Sequence, residues 1–304
     1  MSRPAGANAP GSGSGMNPEL LATFERLLSA RVVANRRVTG GDINDAYRLD
    51  LSDRRRVFVK LNAAAPADMF DAEAHGLGLL RATSALPIPD VLAVGSCAAS
   101  AYLALEWIEV SHSPPARADE QLGRGLAALH RHVASGFGLE RDNYIGRLPQ
   151  SNPRYDNFRD FFAEQRLMPQ FRLAQRSGHF DARIGAQFER LIERLERLLG
   201  DPEPPATLHG DLWSGNVLFD VSGSPWLIDP AVYGGHREID LAMMRLFGGF
   251  SSRVFHAYEE AFPLGPGHRE RVPLMQLYPL LVHVNLFGGG YVASARRVID
   301  QYTV

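Results

Sequence analysis

The sequence predicts an α+β fold of two lobes, a sheet-rich N-terminal lobe over residues 16–108 and a helical C-terminal lobe over residues 109–304. Two observations carry that expectation. Strand-like runs with alternating apolar side chains crowd the first third of the chain: Val32 to Thr39, Ala46 to Leu51, Arg56 to Leu61, Val91 to Gly95 and Ala101 to Ile108. From about Asp119 the apolar residues instead recur at helical spacing. A chain of 304 residues, 45% hydrophobic and 22% charged, has the material for a sizeable core.

Residues 1–15 are Ala, Pro, Gly and Ser with almost no apolar bulk. Such a segment cannot bury enough surface to offset the entropy of ordering, so a disordered tail is expected, with Met16 a candidate true start. Asn17, Pro18 and Glu19 then read as an N-cap, a proline in the first turn and an early acid, opening a helix to about Ala30. Between the first two strands lies a turn with paired glycines, Gly40 and Gly41, at the place where a hairpin could cover phosphates; the same pair also suits an ordinary hairpin turn. The third strand ends on Lys60. Of the 32 Lys and Arg residues, Lys60 is the sole lysine, retained where a compact ammonium can reach between two phosphates and a planar guanidinium fits poorly. The helical segment Ala67 to Ala82 carries Glu73, the natural partner for Lys60. Two more strands complete a five-stranded sheet, and Glu106, Trp107 and Ile108 form the connection onward, whose backbone groups can read an adenine edge. The C-terminal helices are expected at Asp119 to Val133, Asn157 to Arg176, Ala182 to Leu199, Glu238 to Phe247, Val254 to Phe262 and Val272 to Phe287. Only short strands near Val217 to Phe219 and Trp226 to Ile228 are expected to interrupt them. His130 and His132 read as a solvated helix end.

The chemistry is concentrated between residues 209 and 230. His209-Gly210-Asp211-Leu212-Trp213-Ser214-Gly215-Asn216 is followed by Leu227-Ile228-Asp229-Pro230. A carboxylate, an amide five positions on, and a second carboxylate after an apolar strand is the order used by kinase-like phosphotransferases. Asp211 would take or orient the proton of the attacking hydroxyl, and Asn216 and Asp229 would hold Mg2+ against the phosphates of ATP. The implied architecture is therefore a protein-kinase-like bilobal fold. Asp-Pro-Ala in place of Asp-Phe-Gly, with no Ala-Pro-Glu segment, disfavours a protein kinase. Trp213 suits one wall of a sugar pocket or a packed position; His283, Asn285 and Tyr291 suit an acceptor site or helix packing.

Composition excludes several alternatives. A net charge of -2, with arginines interspersed among acids, leaves no footprint for nucleic acid. A single cysteine, Cys97, rules out an internal disulfide and a thiolate zinc cluster. No apolar run approaches the roughly 20 residues of a membrane span and no signal pattern opens the chain, so a cytoplasmic protein without a membrane or obligate protein partner is expected.

The chain resembles the fructosamine kinase (ketosamine 3-kinase) family, within the aminoglycoside phosphotransferase and choline kinase-like superfamily. The resemblance runs through Gly40 to Asn44, Val57 to Asn62, Met69 to Glu73, Asp142 to Gly146, Phe161 to Leu167, His209 to Asn216, Asp229 to Ala231, Tyr233 to Glu238, Leu246 to Phe250 and Asn285 to Tyr291. The His-Gly-Asp and Ile-Asp elements belong to the superfamily; Leu-Trp-Ser-Gly-Asn and Phe-Gly-Gly-Phe are more specific. The resemblance implies transfer of the ATP γ-phosphate to the 3-hydroxyl of a sugar ketoamine, free or on a glycated protein amine. The 3-phosphate then breaks down to release the amine, a deglycation repair. It also implies that Asp211 is the proton acceptor, that Glu106, Trp107 and Ile108 lie at the nucleotide, and that Lys60 and Glu73 orient the phosphates. Asp42 stands where some eukaryotic members carry a redox-switch cysteine, so no disulfide-switched dimer is expected. Another small-molecule kinase of this fold, such as an aminoglycoside kinase, and a nucleotide-binding pseudokinase remain the alternatives.

Overall fold

The computed structural model describes residues 16–38, 44–111, 113 and 115–303. The tail and the Gly40-Gly41 turn lie outside the described residues. The chain divides into two compact units, Met1–Ala64 with Leu92–Trp107, and Ala65–Val91 with Ile108–Val304.

In the first unit α1 (Pro18–Leu28) begins as expected: the Asn17 side chain accepts from the Glu19 N–H at 2.8 Å, and Pro18 occupies a position where a missing N–H costs nothing. β1 (Val32–Val38), β2 (Asp45–Leu51), β3 (Arg56–Asn62), β4 (Val91–Cys97) and β5 (Ser100–Glu106) form one sheet in the order β1-β2-β3-β5-β4. Alternation along β3 puts Val57, Val59 and Leu61 on the face that packs with Phe24 and Leu28 of α1. Lys60 therefore stands on the opposite face, opposite Ala46 and Leu103 in register, and is itself buried.

The second unit contains α2 (Met69–Ala82), which the sequence reading assigned to the N-terminal lobe; by its contacts it clusters here instead. Gly76 brings α2 close enough that a Cβ at that position would sit 3.2 Å from Val232 Cγ2, and Tyr144 donates to Asp68 at the helix start at 2.6 Å. Then come α3 (Arg117–Arg131), the ribbon β6 (Asn143–Ile145) and β7 (Leu148–Gln150), and α4 (Phe158–Phe161), a π-helical turn over Phe162–Leu167 and α5 (Met168–Arg176). α6 (Ala182–Leu199) is capped by Asp181 and buries Ile184, Phe188, Leu191, Leu195 and Leu199, a helical stripe that the sequence displays directly. β8 (Ala206–Leu208), β9 (Val217–Phe219), β10 (Pro225–Leu227) and β11 (Tyr233–Gly235) follow. The unit ends with α7 (Glu238–Phe247), α8 (Ser252–Ala261), α9 (His268–Phe287) and α10 (Gly290–Thr303).

The structure corrects the sequence reading at several points in the second unit. The ribbons β6·β7 and β8·β11 and the helix α10 were not expected, and α9 starts at His268 rather than Val272. His130 is not at a solvated helix end. It lies four residues after buried Leu126 on the inner face of α3, and is 3% exposed. Among the described residues no helix is long and apolar enough to cross a membrane.

Candidate active site

Two short ribbons frame the segment His209 to Pro230 that carries the candidate motif. β8 leads into His209 and pairs with β11 (Leu208 opposite Tyr233), while β9 and β10 flank Asn216 and Asp229 (Val217 opposite Leu227). Gly210 turns the chain with φ +82°, and any Cβ there would overlap the Ala231 carbonyl oxygen, so only glycine fits. The backbone on either side is fixed by a buried carboxylate. Asp240, on α7, accepts from the His209 N–H at 2.8 Å and from the Gly210 N–H at 2.9 Å, one to each oxygen. His130 meets the same carboxylate at 3.2 Å and the Tyr258 hydroxyl at 2.9 Å. Burial pushes the Asp240 carboxyl up, but its hydrogen bond with His130 and the nearby charges outweigh that and hold it below the ordinary carboxylate range.

His209 is a structural pin. Its Nε2–H donates to the Ile228 carbonyl at 2.9 Å and its Nδ1 accepts from the Asp211 N–H at 3.2 Å, which defines a neutral tautomer. Burial lowers its pKa in agreement with that assignment. The Ala231 N–H donates to the His209 carbonyl at 2.9 Å, so the two motif segments are tied together at their bases.

Asn216, at the end of a 3-10 turn (Ser214–Asn216), links the backbone at Asp211 and Asp229. Its amide nitrogen donates to the Asp211 carbonyl at 2.8 Å, and lies 3.3 Å from Asp211 Oδ2 and 3.4 Å from the Asp229 carbonyl. With the nitrogen turned inward to these oxygens, the amide oxygen Oδ1 is the atom offered to a cation. Asp229 sits at φ +54°, a conformation that Asp tolerates better than most residues and that recurs at functional sites. The described residues hold no group of three or more His, Cys, Asp or Glu side chains suited to a metal. One carboxylate with one amide oxygen is instead the donor set of a Mg2+ completed by water and phosphate oxygens, so Asn216 and Asp229 fit that ion.

The acceptor-side candidates divide. Trp213 is exposed, with its ring lying over Gly215. Gly249, at φ +84°, packs against Ser214, which brings the Phe247–Phe250 segment to the Trp213 turn. From Phe247 an aromatic cluster continues: its ring centroid is 4.5 Å from that of His283, which lies 5.0 Å from Tyr291 and 5.4 Å from exposed Phe287. His283 Nδ1–H donates to the Pro279 carbonyl at 2.8 Å, and burial lowers its pKa, leaving Nε2 as an acceptor. Asn285 belongs elsewhere: its amide donates to the carbonyl and to Oε1 of Gln170, at 2.9 and 2.7 Å, tying α9 to α5. Lys60, Glu106 and Trp107 lie in the first unit, where Arg48 stacks on Trp107, and Ile108 opens the longer segment of the second. Glu73 lies on α2.

Sequence reasoning missed Asp240, His130 and Tyr258. A signal existed for the first: an acid inside the apolar run Ile239 to Met244 must be paired once buried.

A family model described as fructosamine kinase matches residues 21–304. A probable ketoamine kinase of Synechocystis sp. is 43% identical over 278 residues, covering 89% of this chain and 90% of that protein. A chloroplastic protein-ribulosamine 3-kinase of Oryza sativa subsp. japonica is 39% identical over 273 residues, 87% of this chain and 77% of that protein. Among solved structures, a candidate fructosamine-3-kinase of Thermobifida fusca superposes with a TM-score of 0.86 at 40% identity, over 95% of this chain and 99% of that one. A macrolide 2'-phosphotransferase of Brachybacterium faecium, 17% identical with a TM-score of 0.56 over 93% of this chain and 96% of that one, shares the fold alone.

Proposed function

The chain belongs to the fructosamine kinase family, and from that premise we propose that it phosphorylates the 3-hydroxyl of ketoamines with Mg2+ and ATP. The observation that supports the reading is the single amide of Asn216 bonded to Asp211 and drawn to the Asp229 carbonyl, an arrangement suited to a base beside a cation-binding pair. Bound Mg2+-ATP would supply the γ-phosphoryl group and offset the charge on its oxygens. Asp211 would orient the acceptor hydroxyl and take up its proton as the oxygen bonds to phosphorus and ADP departs. Asn216 Oδ1 and the Asp229 carboxylate would hold the ion. His209 and Asp240 act only by fixing the loop that aims Asp211.

Lys60, with Glu73, is proposed to orient the phosphates. Replacing Lys60 by Arg should raise the KM for ATP and lower kcat, since the guanidinium is too broad for the same place. Steady-state kinetics check this; a wild-type kcat/KM for ATP would reduce Lys60 to a structural residue.

The acceptor side favours a neutral polyol. Phe247 to Ser252 and His283 to Tyr291 contain Gly, aromatic, His and Asn residues and no acid, although Asp119 of α3 accepts from Ser251 at 2.5 Å. A polycationic aminoglycoside calls for several carboxylates, whereas the hydroxyls of a sugar chain suit an aromatic shelf beside the His283 acceptor nitrogen. Ribulosamines and fructosamines, on small amines or on glycated protein, are the substrates proposed, with ribulosamines preferred. Comparing kcat/KM for ribulosyl-lysine, fructosyl-lysine and kanamycin tests this. The expected order is the one given, and kanamycin at the top would overturn the acceptor class.

A further inference from the structure

We propose that Arg166 is a positioning residue for the segment that carries Asp229, acting through Asn152, Asn143 and Gln150 on the backbone just beyond that carboxylate. The inference rests on the phosphotransfer reading above, in which Asp229 holds the metal ion.

Arg166 belongs to the π-helical turn Phe162–Leu167, a rare geometry that tends to occur at functional sites. Its side chain is fully buried, and among the described residues it makes no ion pair. Its guanidinium lies 4.0 Å from the Tyr233 ring centroid and 4.5 Å from that of Phe161, with Nη1 donating to the Ser151 carbonyl at 2.7 Å and Nη2 to Asn152 Oδ1 at 2.5 Å. A buried cation without a carboxylate is costly, and a position that only had to pack α4 against α9 would be filled at lower cost by Leu or Met.

The direction of the hydrogen bonds suggests what the charge does. A guanidinium can only donate, so Asn152 must turn its oxygen toward Arg166 and its nitrogen away. That nitrogen donates to Asn143 Oδ1 at 2.8 Å, which also accepts from Gln150 Nε2 at 2.7 Å. Asn143 is thereby forced to point its own nitrogen at the Val232 carbonyl, at 2.8 Å, while Gln150 Nε2 also reaches the Ala231 carbonyl at 3.2 Å. Tyr278 completes the set by donating to Gln150 Oε1 at 2.5 Å. A neutral residue at 166 would leave only the longer bond from Asn152 Nδ2 to the Arg141 carbonyl, at 3.2 Å, to resist inversion of that amide, and the inverted relay would present oxygen to the carbonyls of Ala231 and Val232. Those carbonyls lie two and three residues after Asp229, on the segment whose Ala231 N–H is bonded to His209. A second route is direct, because the ring stacked on Arg166 belongs to Tyr233, which pairs with Leu208 immediately before His209. The Arg166 guanidinium also lies 5.5 Å from the ring centroid of Tyr278, the residue that donates to Gln150.

The test measures Mn2+ binding in the presence of ADP by electron paramagnetic resonance, alongside kcat, the KM for ribulosyl-lysine and Tm, on the full chain and on Arg166→Met, Arg166→Lys and Asn143→Leu. The expected result for Arg166→Met and Asn143→Leu is Mn2+ affinity weakened by roughly 10–100-fold, the range usual for residues that support metal ligands, with kcat lowered and the ketoamine KM unchanged. Arg166→Lys should fall between them and wild type, since it still only donates but lacks the planar fork and the stacking. A folded Arg166→Met with wild-type Mn2+ affinity and kcat, and only a lower Tm, would make Arg166 a packing residue and overturn the proposal. Should Arg166→Met not fold, wild-type Mn2+ affinity in Asn143→Leu overturns it instead. If wild type itself binds no Mn2+ with ADP, the phosphotransfer reading falls and takes this inference with it; normal wild-type binding with unaffected variants sinks this inference alone.

Discussion

Asp211→Asn is expected to abolish most turnover while leaving the fold and nucleotide binding intact. The structure separates the two effects. Asn216 is held chiefly by the Asp211 main-chain carbonyl at 2.8 Å, with the side-chain oxygen more distant at 3.3 Å, so the loop keeps its anchor when the carboxylate becomes an amide. What is lost is the capacity to take a proton, typically worth roughly 10²–10⁴ in rate, about 3–5 kcal/mol. Single-turnover assays and ADP titration check both halves. A near-wild-type kcat on every ketoamine tried would refute the role given to Asp211.

The largest stability effect should come from Asp240→Ala. The substitution strands the His209 and Gly210 N–H groups and leaves His130 facing a void, all in the interior. Removing one partner from a buried charged network costs about 3–5 kcal/mol, seen as a large fall in Tm, and kcat should fall with it because Asp211 loses its support. The pH dependence has a definite sign. The carboxyl is held below its ordinary value in the folded chain, so the unfolded chain binds the proton first as the medium is acidified. The stability that Asp240 contributes is therefore complete above the unfolded pKa, near 3.9, and is lost as pH falls through the folded value. Urea denaturation of wild type between neutral pH and pH 3 should show this acid limb, and Asp240→Ala should lack its share of it. Superimposable profiles would show that Asp240 is not charged in the folded state.

The sequence by itself determined the features written in local patterns. Alternation placed the five strands of the first sheet to within a residue or two, and the stripe from Ile184 to Leu199 defined α6, because each is a periodicity carried by neighbouring side chains, seven residues in a strand and eighteen in the helix. The candidate residues Asp211, Asn216 and Asp229 could be proposed from sequence for a related reason: they lie within one stretch of chain whose order matches that of the proposed chemistry. Tertiary structure alone decided the rest. Strands such as β8 and β11 are three residues long, too short to show any period, and exist only because distant backbone supplies their partners. The grouping of α2 with the second unit turns on a glycine fitting against Val232, which nothing in the helix itself announces. Buried polar residues are the extreme case. Arg166, Asn152 and Asn143 would each read locally as solvated positions, and for Asp240 only the apolar run around it hints otherwise. They can be buried because backbone and side chains of other segments supply partners for most of their polar atoms, with Arg166 Nε left without one.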